Sequence, residues 1–550
     1  MRISPLFIVP LSLVVVLCRS AAPVFAHEED AAAPAPGEKL GTVHFSTSCH
    51  ASVAERFDRG MAMFHSFWFD PAAQVFADVA QADPKCAMAH WGVAMTRLGN
   101  PFAWPPAEKQ FAAGQAALAK AREIGARTVR EVAYIEALGR FYEDPQKADL
   151  RTRAVAFQQA MGELVQRYPD DTEAQILYAL LLDATALASD KTYAQQLEAA
   201  AILEKISKQQ SDHPGVAHYL IHSYDYPPIA QRGLDAARRY AGIAPSAPHA
   251  LHMPAHIFTR LGYWDDSIET NRLSAEAAKA ELSQTSLNQG SYNALHAMDY
   301  MVYAYLQQGR DAKAKALVDE MGAITKLDVE NFPAAYALAA APARYALERG
   351  DWSACANLEP TPKELSWNKF PQAAAVTVFA RAFGAARLGD VAKARVGIEQ
   401  LSALQTALVN AKQLYWADQV AIQHGIVTAW TLLAEGNQKQ ALDEMRLAAD
   451  NEDASDKHPV TPGPLAPARE LLGEMLVEIG QPAAALFEFQ RSQEKEPNRL
   501  RGFYGSAHAA ELAGRDEIAH ANYERLTTLT EQADSNRPEV LRARASATRN

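Results

Sequence analysis

Between residues 47 and 535, apolar side chains return every three or four positions with polar residues in the intervals. That spacing places one stripe of an α-helix against a core. Alanine is abundant and alternating β-type runs are absent, so the expected fold class is all-α. Glycines punctuate the pattern and divide it into helical pairs. Two segments depart from it. Residues 27–46, with Glu28-Glu29-Asp30 and the stretch Ala31 to Pro36, carry few large apolar side chains and read as a flexible leader. Asn451 to Pro467 (NEDASDKHPVTPGPLAP) is too rich in Pro, Asp and Asn for helix and reads as a long loop, a class that is often functional.

The helical pairs have a register. Leu472-Gly473, Leu476, Gly480, Ala485, Phe489 and Pro497 fall at places 7, 8, 11, 15, 20, 24 and 32 of a 34-residue unit, and Gly514, Ala519 and Tyr523 repeat it 34 residues on. This resembles the tetratricopeptide repeat, with Leu-Gly in the first helix, a turn glycine, Ala and an aromatic in the second helix, and a closing Pro. Gly262, Gly309, Gly350, Gly389 and Gly436 mark looser turns, some units being stretched to about 40 to 47 residues so that longer helices or inserted loops are needed. Near the start, Gly60, Ala72, Phe76 and Pro84 fit the same register. The resemblance covers most of residues 50 to 530, most strongly at the C-terminal end. It implies an α-solenoid whose first helices line a concave groove that takes a protein, a peptide or a small ligand. The expected organisation is a signal peptide over 1–26, the leader over 27–46, helical repeats over 47–200, His-rich repeats over 201–330, C-terminal repeats over 331–535 and a basic, solvated tail over 536–550.

A length of 550 residues suggests three or four domains at about 150 residues each. A repeat array removes that inference, because each hairpin needs only its neighbours to bury its apolar face. With 49% hydrophobic residues and 65 acidic against 53 basic side chains, the chain is globular and carries a net charge of −12. A phosphate backbone would be repelled, so nucleic acid is not an expected partner. Met1 to Ala26 reads as an export signal: Arg2, a short apolar segment Leu6 to Leu17, then Val24-Phe25-Ala26. That segment is too short to span a bilayer, and no later run reaches the ~20 apolar residues a transmembrane helix needs. An exported, periplasmic or extracellular protein is expected, of the bacterial tetratricopeptide-repeat type. Of the cysteines left after the signal, Cys49 and Cys86 are the expected disulfide and Cys355 a packed small residue.

Seven of the 16 histidines lie between His213 and His296. His218 and His222 are four apart, as are His252 and His256, so each pair shares a helix face. On the repeat register both pairs occupy the fifth and ninth places of their units, while His296 and Asp299 occupy the second and fifth places of the next. In the tetratricopeptide family these places point into the concave groove. His218, His222, His252, His256 and His296 are therefore the expected metal ligands, since two imidazoles at i, i+4 can hold one ion. The general-base Glu of a zinc-peptidase motif is absent from both pairs. Asp225, Asp299 and Tyr303 are expected beside the ligands, Tyr224 and Tyr226 being further aromatic neighbours. His249, after Pro248, reads as a capping or ligand-binding residue. Copper or zinc suits such a set, with iron possible, and Met253, Met298 and Met301 lean slightly to copper. His65 and His90 sit among aromatic residues and read as core. His458 reads as a solvated loop residue, or else as part of a lid.

No nucleotide-binding glycine loop, nucleophile elbow or CxxC pair is present. Three functions stay open: a binding protein with a metal site in its groove, a metal-dependent oxidoreductase or hydrolase using the same histidines, and a metal-free interaction scaffold.

Overall fold

Helical hairpins stack through the whole of the computed structural model, which describes residues 37–282 and 289–547. The expected export signal and the first half of the leader lie outside the described residues. The β structure among those residues is one parallel pairing of Gln289–Gly290 with Lys326–Leu327. The protein is an all-α array of tetratricopeptide-like hairpins. The glycines expected to turn the chain do so in left-handed backbone, φ being 76° at Gly480 and 67° at Gly514. Side chains with a Cβ resist that conformation. The stretched units are accommodated by long helices, Val391–Asn410 and Leu414–Ala434.

The repeat register has a packing cause. Phe489 lies flat against two glycines, Gly473 of its own hairpin and Gly505 of the next. A Cβ at Gly505 would stand 2.2 Å from the Phe489 ring, and one at Gly473 2.7 Å from it. Phe76 sits in the same way between Gly60 and Gly92, at 2.8 and 2.5 Å. One aromatic ring thus locks three helices, and only glycine leaves room for it.

Three boundaries differ from expectation. The described part of the leader packs on the body: Leu40, Val43 and Phe45 are buried, and Phe45 packs on Phe57, Trp91 and Tyr134. Its few large apolar residues all find the body of the protein. The segment expected as loop from Asn451 begins as helix, because Gln438–Ala454 continues to Ala454. There Arg469 and Arg491 pair with Asp453, and Glu452 accepts the Ala468 N–H at 2.6 Å, so tertiary partners override weak helix propensity. The basic tail is not a solvated end. Arg537 is buried against Asp311 (Nε to Oδ2 3.0 Å), and Pro538–Ala547 forms a further helix.

Contacts that span about 200 residues close the array on itself. Arg499, fully buried, donates to Tyr303 Oη at 2.7 Å, Glu348 at 2.6 Å and Glu470 at 2.8 Å. Trp264 donates its indole N–H to the Asn498 carbonyl at 2.8 Å. The disulfide Cys49–Cys86 ties the first two hairpins, and Cys355 is buried. No helix among the described residues is long and apolar enough to cross a membrane. Gly505→Ala should lower the unfolding free energy by about 1–3 kcal/mol through overpacking against Phe489. Phe489→Leu in the same chain should recover part of that loss in chemical denaturation.

Candidate metal centre

Six imidazoles meet where four helices converge. His218 and His222 come from Pro214–Tyr224, a helix that starts at a proline with pre-set φ. Beyond the intervening helix Leu234–Ile243, a helical segment is broken at Pro254, whose ring cannot continue the hydrogen-bond ladder, giving Pro248–His252 and Pro254–Leu261. His249 and His252 lie on the first piece and His256 on the second. His296 comes from Tyr292–Gln307. The donor nitrogens form two groups, His218/His222/His249 and His252/His256/His296, with the three nitrogens of each group within 4.8 Å of one another. The five histidines expected as ligands are thus brought together, and His249 completes the first group.

Hydrogen bonds from outside fix which nitrogen faces inward in three of the rings, His218, His252 and His256. His218 Nδ1–H donates to the His65 carbonyl at 2.6 Å. His252 Nδ1 meets Asn271 Oδ1 at 2.6 Å, and the Asn271 amide N–H₂ is turned to the Ser267 carbonyl at 2.7 Å, so the histidine must be the donor. His256 Nδ1–H donates to Asp225 Oδ2 at 2.9 Å. The Nε2 atoms of these rings therefore carry lone pairs. Those of His252 and His256 face each other at 3.1 Å. Those of His218, His222 and His249 are buried without a hydrogen-bond partner among the described residues. Burial and the neighbouring imidazoles hold His218, His222, His249, His252 and His296 well below the ordinary histidine range. Burial also lowers His256, against the pull of Asp225. All six rings are neutral at pH 7, the form that ligates metal.

The rings of the first group are held by aromatic faces. Phe102 stacks on His222 at 4.0 Å between centroids, and Phe67 lies 4.3 Å from His218 and 5.3 Å from His249. Phe67 adopts φ 52°, a left-handed conformation that costs an aromatic residue about 1–2 kcal/mol and here aims its ring into the cluster. Tyr300, four residues after His296, covers the second group at 4.8 Å from His252 and 5.5 Å from His256.

The segment 455–467 folds over this region as a strap. Lys457 Nζ reaches Asp225 Oδ2 at 3.1 Å, and Tyr300 donates to the Pro459 and Thr461 carbonyls at 3.0 and 3.1 Å. Arg344, fully buried, donates to Asp299 at 3.1 Å, Thr461 Oγ1 at 2.6 Å and the Pro464 carbonyl at 2.8 Å. His458 is half-buried beside Trp416 and Tyr415, and burial lowers it to about 4. The solvated-loop expectation for His458 is thereby corrected: its neighbours on the strap have found partners on the histidine helices.

Asp225 stands against His256 as expected, and although burial opposes its charge, Lys457 and Arg260 hold its carboxyl well below the usual range. Asp299 turns to Arg344, and burial raises its carboxyl to about 6. Tyr303 lies two turns beyond His296 and takes the Arg499 hydrogen bond. Among the described residues, neither hydrogen-bonds to the six histidines. Tyr224 donates to Glu204, and Tyr226 accepts from Gln196. Met253, Met298 and Met301 fill apolar cores. His90 joins neither group. His65, expected as aromatic core, belongs to a second polar cluster that the sequence did not suggest. Glu173 accepts from His65 Nε2 at 3.0 Å and from His213 Nε2 at 2.8 Å. With each carboxylate oxygen so occupied, this cluster reads as a buried brace that presents the His65 carbonyl to His218. The grouping of Cys49, Asp83 and Cys86 has spent its thiols in the disulfide.

No family model matches the chain. No curated protein sequence matches it. Among solved structures it is similar to the human IFIT1 dimer with m7Gppp-AAAA, at 13% identity and TM-score 0.35, over 80% of this chain and 90% of that one. It is also similar to the P58(IPK) TPR domain, at 10% identity and TM-score 0.20 over 91% and 99%, and to Cut9–Hcn1 of the APC/C, at 11% and 0.28 over 90% and 97%.

Arg344→Met should cost about 3–5 kcal/mol, because it leaves Asp299 buried without its partner and releases Thr461, Gly463 and Pro464 of the strap. Limited proteolysis should then cut within residues 455–467 well before it cuts the helices.

Proposed function

We propose that this helical-repeat protein is an exported binding protein whose functional centre is a transition-metal site built from His218, His222, His249, His252, His256 and His296. The observation that carries the reading is the His252–His256 pair. Each ring is fixed as the Nδ1–H tautomer from outside, and their two Nε2 lone pairs point at each other across 3.1 Å. Two such lone pairs repel, whereas two nitrogens at about 2.0–2.1 Å from one ion stand about 3.3 Å apart at a tetrahedral angle. Three further Nε2 atoms, buried and unpartnered, favour the same conclusion, since an unmet buried polar atom costs about 1–3 kcal/mol. An all-imidazole set suits copper or zinc, with iron third.

The chain of outer partners supports a tuned site more than incidental packing, because Asn271, Asp225 and the His65 carbonyl each orient one ring. The Cys49–Cys86 disulfide and the signal-like N-terminus support export. A protein, peptide or small ligand is the proposed partner. The net charge of −12 weighs against nucleic acid. A second reading, a metal-dependent oxidoreductase or hydrolase, is favoured by one feature: three imidazoles leave a tetrahedral ion with a position for water or substrate.

Protein purified without an affinity tag should carry copper or zinc by elemental analysis. At 100-fold over Kd the ion should stabilise the fold by about 2.7 kcal/mol. The double variant His222→Ala/His256→Ala should lose both signals, whereas His458→Ala should keep them. Absence of bound metal together with no thermal shift on adding copper, zinc, iron or nickel would leave the metal-free scaffold as the function.

A further inference from the structure

The six histidines do not converge on one point. Within the first group, ring centroids are 5.0 Å apart for His218–His222 and 5.1 Å for His218–His249. Within the second they are 4.9 Å for His252–His256 and 4.4 Å for His252–His296. The shortest recorded separations between the groups are longer, 6.0 Å for His222–His256 and 6.1 Å for His249–His252. One ion with six nitrogens would need every donor within about 4.2 Å of every other, twice the metal–nitrogen distance. The donor nitrogens of each triad, within 4.8 Å of one another, come near that limit, and the wider ring spacing between triads marks a division.

Resting on the metal reading above, we propose that the chamber binds two copper ions side by side, one on His218/His222/His249 and one on His252/His256/His296. The donor chemistry selects copper. Neither group contains a carboxylate, so a pair of divalent hard ions would have no charge to offset them. Copper(I) is satisfied by three neutral nitrogens and brings only one positive charge to each group. The two positions are not equivalent. Asp225 and Asn271 bond the outer nitrogens of the second group and raise the donor strength of its rings. The first group is held by the faces of Phe67 and Phe102 and by one backbone carbonyl. The second group therefore fills first, and the first group is the softer position.

The test is copper loading of the full, untagged chain, followed by gel filtration, elemental analysis and electron paramagnetic resonance of the copper(II) form. Two copper ions per chain are expected, with a magnetically coupled signal whose integrated intensity falls below two spins. His249→Ala and His296→Ala, which alter the two less buried rings, should each retain one copper with an isolated one-spin signal. His296→Ala should lose at least tenfold in affinity for the first ion, and His249→Ala should leave that affinity unchanged. Circular dichroism and the conservative His249→Gln and His296→Gln variants separate loss of a ligand from loss of fold. One copper per wild-type chain would overturn the two-ion inference and leave the metal reading standing. No copper would overturn the two-ion inference, and no zinc, iron or nickel bound either would overturn the metal reading as well. Two copper ions with independent signals would overturn their adjacency.

Discussion

Taking six imidazoles out of water constrains this molecule more than any other interaction in it. A buried imidazolium is costly, and several within reach of one another are costlier, so every ring is driven to the neutral state. A neutral imidazole has one N–H that must donate and one lone pair that must be met. The N–H side is settled from outside by His65, Asn271 and Asp225. These partners are themselves held: Asn271 by Ser267, Asp225 by Arg260 and Lys457, and His65 by Glu173 and Tyr219. The lone pairs are left to the interior. Much of the polar structure around these rings follows from satisfying one side of His218, His252 and His256 while keeping the other side open.

The same physics explains why the array closes. Arg344 and Arg499 are fully buried, and each is matched by a carboxylate and further acceptors drawn from distant repeats. Burying a guanidinium is expensive unless nearly all its donors are used. An open superhelix would leave these groups half-satisfied, so the arginines favour the closed arrangement over looser ones. They fix a geometry in which the strap has a defined seat and the histidine helices have a defined spacing.

The fold was legible because its rules are local. Helical periodicity, turn glycines and the aromatic-on-glycine contact recur within 34 residues, and the structure shows Gly473, Gly505 and Phe489 using them together. The histidine groups were legible for the same reason: the i, i+4 pairs and the register of successive first helices put His218, His222, His252, His256 and His296 on neighbouring faces. What lay beyond reach depends on contacts between distant segments. Nothing near Glu173 or Asn271 in sequence announces that they orient rings on other helices. His249 looked like a helix-start residue because its role is set by Phe67, which lies 182 positions earlier and in a conformation no propensity suggests. The strap looked solvated because Pro, Asp and Gly mark irregular backbone without marking burial, and its partners Tyr300 and Arg344 lie in other repeats.

Asp225 joins the two halves of this arrangement. One of its oxygens accepts from both His256 and Lys457, while the other accepts from Arg260. Lys457 is nearly buried, and burial lowers its ammonium to about 8 even with the carboxylate beside it. The strap is therefore anchored by a cation whose charge depends on an anion already engaged by a histidine of the cluster. Positive charge placed on the far nitrogen of His256 draws Asp225 toward the ring and raises the cost of a second cation on the same oxygen. The seat of the strap and the electrostatics of the six-histidine chamber are thus one system. Lys457, 201 positions from His256 in sequence, shares the charge balance of the histidine cluster, and closure of the repeat array is what brings it there.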